Sequence, residues 1–254
     1  MLEWYQYILA GLAAVGAGLV NALAGGGTLI TFPTLIAMGV APVVSNMTNT
    51  VALLPGYIGG IIGQKKELQG QGHRLRLFMP ASAVGGLVGA LLLRFSSEKL
   101  FAQLVPVLIL AASGLLALQE PVKAWMTRRA AQTGRKHTSE TRAMLPVGLA
   151  AVYGGYFGAG LSVIILAVLG LVAEDNLTRL NASKQAISLS ANTAAAVFFA
   201  FSGLVDWGLA LVLSAGSLVG GVLGGRLAGR IRPATLRWLV VSIGTAVGIA
   251  YLVR

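Results

Sequence analysis

The chain has 254 residues, of which 56% are hydrophobic and 11% charged, with a formal net charge of +11 and a mean hydropathy of +0.79. This amount of charge is too small to cover the surface of a soluble protein of this size. The chain has no cysteine, which excludes disulfides, thiolate metal sites and cysteine nucleophiles. The composition predicts a polytopic membrane protein.

Ten apolar segments follow one another along the chain, five in each half. A full membrane crossing needs about 20 apolar residues, and the sixth and seventh segments are too short for one. We expect an all-α fold of two repeats, in which the first two segments of each repeat are short and broken at glycines. Such half-helices either re-enter or cross the membrane. The segments are roughly 4–24, 28–44, 46–63, 77–93, 100–118, 144–157, 161–173, 185–205, 208–227 and 236–253.

The two halves repeat one pattern. Residues 10–53 and 147–189 both open with GLAAV, reach a glycine cluster and continue into an apolar run. Both then pass through a short polar stretch, SNMTNT at 45–50 and LNASKQ at 180–185. Hydrophobic segments interrupted at matching places of an internal repeat indicate a transporter whose binding site lies between the repeats.

Three short loops between apolar segments are strongly basic, namely 64–76, 119–142 and 226–237. The positive-inside rule places all three in the cytoplasm, so the net charge indicates topology and not a nucleic-acid partner. Each half then crosses the membrane an odd number of times, which makes the repeats inverted. We expect a protein of the cell (inner) membrane with both termini on the outside. The predicted units are a first repeat 1–118, a basic cytoplasmic linker 119–143 and a second repeat 144–254.

Each repeat has its glycine cluster inside an apolar stretch. A helix interrupted within a membrane leaves backbone N–H groups unsatisfied at its new start, where the helix dipole adds about half a positive charge. Glycines expose such amides, and an anion is their natural ligand. The predicted anion-binding residues are Gly25, Gly26, Gly27 and Thr28 at the first break and Gly158, Gly160 and Ser162 at the second.

Close helix packing is the alternative role for glycines in membrane helices. It stays open at the two breaks. It is the role we expect for two further sets, Gly85, Gly86 and Gly89 in the first half and Gly216, Gly220 and Gly224 in the second.

The polar stretches supply the other candidates. They align at the start of an apolar helix in each repeat, where such residues serve either as helix N-caps or as substrate ligands. The candidates are Asn46, Thr48 and Asn49 in the first repeat and Asn181, Ser183 and Lys184 in the second.

Lys184 directly precedes segment 185–205 and stands where the first repeat has Asn49. A lysine at a helix end either snorkels to the membrane interface or, if it faces a cavity, is a fixed charge beside an anion path. Asn192 lies two turns further along the same helix, where the first repeat has Tyr57, and is a candidate donor to the substrate from the other side.

Carboxylates and histidines are missing from the interior of the apolar segments. Carriers coupled to protons or sodium use such groups or a site of backbone carbonyls. An anion leaving a cell that is negative inside needs no coupling ion, since the potential supplies about 2.3 kcal/mol per charge per 100 mV. The pattern favours electrogenic anion export by alternating access; an anion channel and a cation-coupled carrier of another small anionic metabolite are the alternatives.

Catalytic motifs are also missing. GLSVI at 160–164 lacks the second glycine of a nucleophile elbow, and the sequence has no HExxH motif and no Walker lysine after its glycine triplet. We therefore expect neither an enzyme nor a cofactor or metal site. The expected partners are a small anion, the lipid bilayer and, as a candidate, a second copy of the chain.

The glycine cluster, the apolar run with LITFP and the small polar stretch together resemble the TauE/SafE family, the sulfite-exporter-type permeases. The resemblance covers essentially the whole chain and implies transport of sulfite, organosulfonates or other small anions, mostly outward. Members are commonly described with seven or eight spans. The second repeat departs from the first, because it lacks three consecutive glycines and a proline matching Pro33.

Overall fold

The computed structural model describes residues 3–132, 140–172, 175–227 and 233–253. Part of the predicted linker (133–139), residue 173 of the seventh segment, part of the third basic loop (228–232) and both terminal residues therefore lie outside the described residues. All regular elements in the described ranges are helical. They are α1 (Trp4–Leu23), α2 (Thr28–Ala37), α3 (Pro42–Ala52), α4 (Leu54–Gly63), α5 (Gly72–Phe95), α6 (Glu98–Ala117), α7 (Gln119–Gln132), α8 (Met144–Tyr156), α9 (Leu161–Val172), α10 (Leu177–Ala200), α11 (Trp207–Leu227) and α12 (Pro233–Val253), with 3₁₀ turns at Lys65–Leu68 and Glu140–Ala143.

Five helices are long and apolar enough to cross a membrane, namely α1, α5, α6, α11 and α12. By the length and composition of these helices, the prediction of a multi-pass membrane protein is confirmed. Because α1 has 20 residues, the prediction of a short first segment is wrong for the first repeat. The other three helices beside the breaks are short, with 10 residues in α2, 13 in α8 and 12 in α9.

Two predicted segments of the first half are divided differently. Segment 28–44 is not continuous, because α2 ends at Ala37 and the chain turns through Gly39, which has a φ of +85°. Helix α3 then begins with Pro42. Proline suits the first helical position, because a backbone N–H there has no partner within the helix. Leu53 separates α3 from α4, and Pro55 in the first turn of α4 cannot donate back across this junction.

Helix α10 begins eight residues earlier than the sequence pattern predicts, at Leu177 and not at Gln185. Its N-cap is Asn176, whose side chain accepts a hydrogen bond from the Arg179 amide at 2.9 Å. The polar stretch of the second repeat therefore lies within the helix, and N-capping cannot be its role. Helix α10 has 24 residues, yet it is not among the five apolar spans, because polar side chains occupy its first half.

Helices of one half pack mainly on helices of the other. Helix α1 lies along α11 and α8 along α5; α10 packs on α5, α3 and α4 pack on α11, and α6 packs on α12. Glycines allow these close approaches, and the packing role predicted for them is confirmed. A methyl group on Gly220 would overlap the Val15 carbonyl of α1, and one on Gly89 would overlap the Val152 carbonyl of α8. Gly85, Gly86, Gly216 and Gly224 face carbonyls or alanine side chains of other helices in the same way.

The basic loops meet at one end of the molecule, which we call the basic end. There Arg74 at the start of α5 pairs with Glu140 at 3.1 Å and with Asp175 at 3.4 Å. Arg237, near the start of α12, pairs with Glu120 at 2.6 Å. At the opposite end the Val43 amide donates to Glu98 at 3.0 Å. Which membrane face each end occupies stays a prediction.

Candidate functional site

The two breaks have closely similar local geometry. At the end of α1 the Ala24 and Gly25 amides both donate to the Val20 carbonyl, at 2.7 and 2.9 Å. At the end of α8 the amides of Phe157 and Gly158 both donate to the Tyr153 carbonyl, at 2.9 and 3.3 Å. The glycines at these points adopt positive φ, which side chains disfavour: 84° at Gly25, 91° at Gly26, 85° at Gly158 and 81° at Gly160.

The breaks also lie close to each other. A methyl group on Gly25 would overlap the Ser162 hydroxyl in the first turn of α9, so the first break contacts the helix that follows the second. Both breaks touch the last turns of α6, where Gly26 faces Leu116 and Gly160 faces Leu115. Ser162 and Thr28 are both buried. The structure thus brings the predicted glycines and hydroxyls of the two repeats into one region.

Three of the predicted anion donors are already engaged: besides the Gly25 and Gly158 amides in the bonds given above, the amide of Gly27 also has a partner. The Gly27 amide donates to the side-chain oxygen of Asn21 at 3.3 Å. The Tyr57 hydroxyl interacts with the side chains of both Asn21 and Asn192, the second of which lies on α10. This Asn21–Tyr57–Asn192 group connects the first break to α10. Asn192 in turn lies beside the second break, since its side-chain oxygen is 3.9 Å from the position of a methyl group on Gly158.

Polar residues of α10 recur at helical spacing along one face, because positions three or four apart are neighbours on a helix. Asn181 donates to the Gln64 side chain at 2.8 Å, and Gln185 donates to the Asn21 and Ala22 carbonyls at 3.4 and 3.3 Å. Asn192 donates to the Ser188 carbonyl at 2.8 Å. This face, which we call the α10 polar face, consists of Asn181, Lys184, Gln185, Ser188 and Asn192.

Lys184 is fully buried, with 0% exposure, in the third turn of α10. Snorkelling to the interface is therefore wrong for this lysine. Its Nζ has no hydrogen-bond partner in the structure, and the salt bridges of the described residues include none to Lys184. The hydroxyls of Ser183 and Ser188 are buried and unpartnered as well. The α10 polar face thus presents the unpartnered Nζ of Lys184 and the unused hydroxyl of Ser188 inside the protein, and Ser183 adds a second unused hydroxyl next to Lys184 in sequence.

The first-repeat residues are used differently. Asn46 donates to the Tyr156 carbonyl at 2.8 Å, Thr48 accepts from the Asp206 amide at 3.0 Å, and Asn49 accepts from the Thr31 hydroxyl. All three are buried and join α3 to other segments. None of these three hydrogen bonds involves Lys184. Asn46 retains an unpartnered side-chain oxygen.

Four residues of this region were not among the candidates: Thr31, Tyr57, Gln185 and Ser188. Because α10 begins at Leu177, Gln185 and Ser188 lie at helical spacing from Lys184 and Asn192. A helix predicted from Leu177 would have indicated Gln185 and Ser188 as candidates. Tyr57 carries no such signal, since it is a single polar group in an apolar run, whereas Thr31 lies three residues from both Thr28 and Thr34 in α2. No group of three or more His, Cys, Asp or Glu side chains suited to a metal ion occurs among the described residues.

The chain also matches a known protein family over most of its length. The sequence model described as "Sulfite exporter TauE/SafE" matches residues 10–251. The chain belongs to the TauE/SafE family. This TauE/SafE chain is similar to the probable membrane transporter protein YfcA of Escherichia coli K12, with 26% identity over 216 residues, covering 84% of this chain and 77% of the relative.

Two further relatives carry similar names. A probable membrane transporter protein of Haemophilus influenzae is 27% identical over 227 residues, covering 87% of this chain and 85% of that one. The probable membrane transporter protein ORF9 of a Sinorhizobium species is 25% identical over 245 residues, covering 95% and 90% of the two chains. No solved structure matches the chain. The TauE/SafE chain is thus a multi-pass membrane transporter.

Proposed function

We propose that this TauE/SafE protein exports a small anion, of the sulfite, organosulfonate or related sulfur oxoanion class, by alternating access. The observation that carries the proposal is the complete burial of Lys184, whose Nζ has no partner in the structure. Charges inside a membrane protein are expensive unless they are paired, and they mark substrate pathways. A transported anion supplies the opposite charge.

The surroundings of Lys184 support an anion as its partner. Ser183 and Ser188 hold unpartnered hydroxyls next to it in sequence or one turn away, and hydroxyls can donate to an anionic oxygen. The α10 polar face continues to Asn192 and, through Tyr57, to the first glycine break. In the proposed pocket Gly26, Gly160, Thr28 and Ser162 bind the far side of the anion, while Gly25, Gly27 and Gly158, whose amides already have partners, shape the breaks. Asn46, Asn49, Asn181 and Thr48 hold the helices that enclose the pocket.

The packing of helices of one half on helices of the other supports the inverted-repeat mechanism. Helix α1 of the first half packs on α11 of the second, and α8, in the corresponding place of the second half, packs on α5 of the first. Substrate sites of such transporters lie at the repeat interface, and rocking one unit against the other opens them to either side. A membrane potential that is negative inside would drive the anion outward.

Coupling to a cation is the second candidate, and one observation favours it. The side-chain oxygen of Asn46 is a buried acceptor without a partner, and amide oxygens are ligands for hard cations. Anion flux that requires sodium on the same side, and that Asn46→Leu uncouples from it, would support this mechanism over uncoupled export.

Flux into proteoliposomes tests the proposal. Radiolabelled sulfite should enter with saturable, voltage-dependent kinetics and be competed by one of sulfate, isethionate or chloride. Lys184→Met should reduce the flux at least about tenfold, since a charge partner of the substrate is worth more than about 1.4 kcal/mol. The same variant should keep or raise the melting temperature, because it removes an uncompensated buried charge.

The matched control is Lys66→Met, which removes a lysine that is exposed at the basic end. It should leave the flux unchanged. Full flux in Lys184→Met would remove that residue from the substrate path. Conductance that does not saturate would favour the channel, and no flux of any of the four anions by folded protein would overturn the proposal.

A further inference from the structure

The basic end carries a second group of charges that the proposed pocket does not use. Glu120 in the first turn of α7 accepts from Arg237 of α12 at 2.6 Å and from Lys123 at 3.1 Å, through the same carboxylate oxygen, Oε1. Two cations therefore share one carboxylate. Helix α7, which carries Glu120 and Lys123, packs on α9, and α9 packs on α10, so only α9 stands between this group and the helix of the α10 polar face.

The guanidinium of Arg237 is incompletely used. Its side chain is only 4% exposed, its Nη1 donates to Glu120, and its Nε is buried without a partner. A guanidinium presents its N–H groups as a fork that fits two oxygens of one anion at once. Glu120 contacts Arg237 through a single oxygen and so fills only part of this fork.

Burial and exposure arrange these groups in order. The Glu120 side chain is 49% exposed and that of Lys123 23%, whereas that of Arg237 is 4% exposed. An anion arriving from solvent therefore meets the more exposed Glu120 before Arg237, and it binds Nη1 of the guanidinium by replacing that carboxylate. Burial raises the pKa of Glu120, but hydrogen bonds and charges from Lys123 and Arg237 outweigh it and hold the pKa below its ordinary value. Glu120 is thus an anion at neutral pH.

We propose that Arg237 and Lys123 form a capture site for the transported anion at the basic end, and that Glu120 occupies this site until an oxyanion displaces it. The inference rests on the proposed function and adds a class of ligand to it. An anion with two or more oxygens, such as a sulfite or a sulfonate, engages both terminal nitrogens of Arg237, Nη1 and Nη2, at the end of the guanidinium that Glu120 now contacts, whereas a halide has a single contact point. The capture site therefore selects oxyanions before they reach Lys184.

Glu120→Gln tests the inference because it removes the competing carboxylate and keeps the side chain's size. Its KM for sulfite in proteoliposomes should fall about two- to fivefold, the scale of a partly exposed ion pair. Without an anion the variant should melt earlier than wild type, because Arg237 loses its partner, and sulfite should raise its melting temperature more than that of wild type. A purely structural ion pair would not give the lower KM.

Glu67→Gln is the matched control. It removes one negative charge at the same end of the molecule, in the 3₁₀ turn Lys65–Leu68, so it reports any general electrostatic attraction. Its KM should stay at the wild-type value. A second variant, Arg237→Lys, keeps the charge but loses the fork, and it should raise the KM for sulfite while leaving competition by chloride unchanged.

The outcomes separate the two proposals. An unchanged or higher KM in Glu120→Gln, together with flux that still depends on Lys184, would overturn the capture site and leave the proposed function standing. An equal fall in KM for Glu67→Gln would also overturn it. Absence of flux for every anion in wild-type protein would overturn the proposed function and the capture site together.

Discussion

At the scale of single residues, the first break depends on glycine for two separate reasons. Gly25 has a φ of +84°, and a methyl group there would overlap the Ser162 hydroxyl of the second repeat. Gly25→Ala should therefore destabilise the protein by about 1–3 kcal/mol, the range for a non-glycine residue held in the left-handed region. It should also impair flux, because the first break is pushed away from α9. Thermal unfolding in detergent and sulfite flux measure the two effects.

Gly16→Ala is the control for this substitution. Gly16 lies in α1 with nothing near the position of an added methyl group, and alanine favours a helix over glycine by about 0.5–1 kcal/mol. The melting temperature of Gly16→Ala should stay constant or rise slightly. If both variants lose stability equally, the geometry of the first break is not the cause.

At the scale of elements, the start of α10 is held by charges around Asp175. This carboxylate contacts Gln71, Arg74 and Arg179. Burial raises the pKa of Asp175, but the bonds from Gln71 and Asn176 and the charges of Arg179 and Arg74 outweigh it, so the pKa lies below its ordinary value. The stability that Asp175 contributes is present above about pH 4 and is lost as the pH falls through its lowered pKa.

Asp175→Asn should therefore lower the melting temperature near neutral pH by about 2–4 °C, the shift for roughly 1 kcal/mol in a chain of this length. The difference from wild type should shrink as the pH falls below about 4, where the wild-type carboxyl becomes protonated. Melting curves between pH 3 and pH 7 measure this. A difference that stays constant with pH would mean that the ionised carboxylate is not what holds α10.

The elements that sequence predicts well are those whose signal is local. Composition and segment length predict α5, α6, α11 and α12 as spans, whereas α1 is longer than expected. Small residues at helical spacing predict the packing role of Gly89 and Gly220. The start of α10 at Leu177 was not predicted, because its first turns are too polar to resemble a membrane span, although Asn176 is an ordinary N-cap. Lys184 was identified, yet its complete burial depends on segments far away in sequence, as does the position of Tyr57 between Asn21 and Asn192.

At the scale of the whole molecule, the two halves are interlocked. The main contacts of α1 and α8 are with a helix of the other half, α11 and α5 respectively. Glycines make these contacts close, so each half alone would expose a row of backbone carbonyls and small residues that normally meet another helix. We therefore expect that neither predicted unit, 1–118 or 144–254, folds by itself.

This interlocking makes a prediction about divided chains. Residues 1–132 and 140–254 expressed separately should be degraded or aggregate, because α1 and α8 each lack their partner helix. The two pieces expressed together should assemble into a particle that elutes with the intact protein and retains sulfite flux, since the cut removes only part of the linker and keeps Glu120 beside Arg237. Fluorescence-detected gel filtration of each piece and of the pair measures this. A stable 140–254 fragment on its own would show that contacts within the second half, and not those with α5, hold α8 in place.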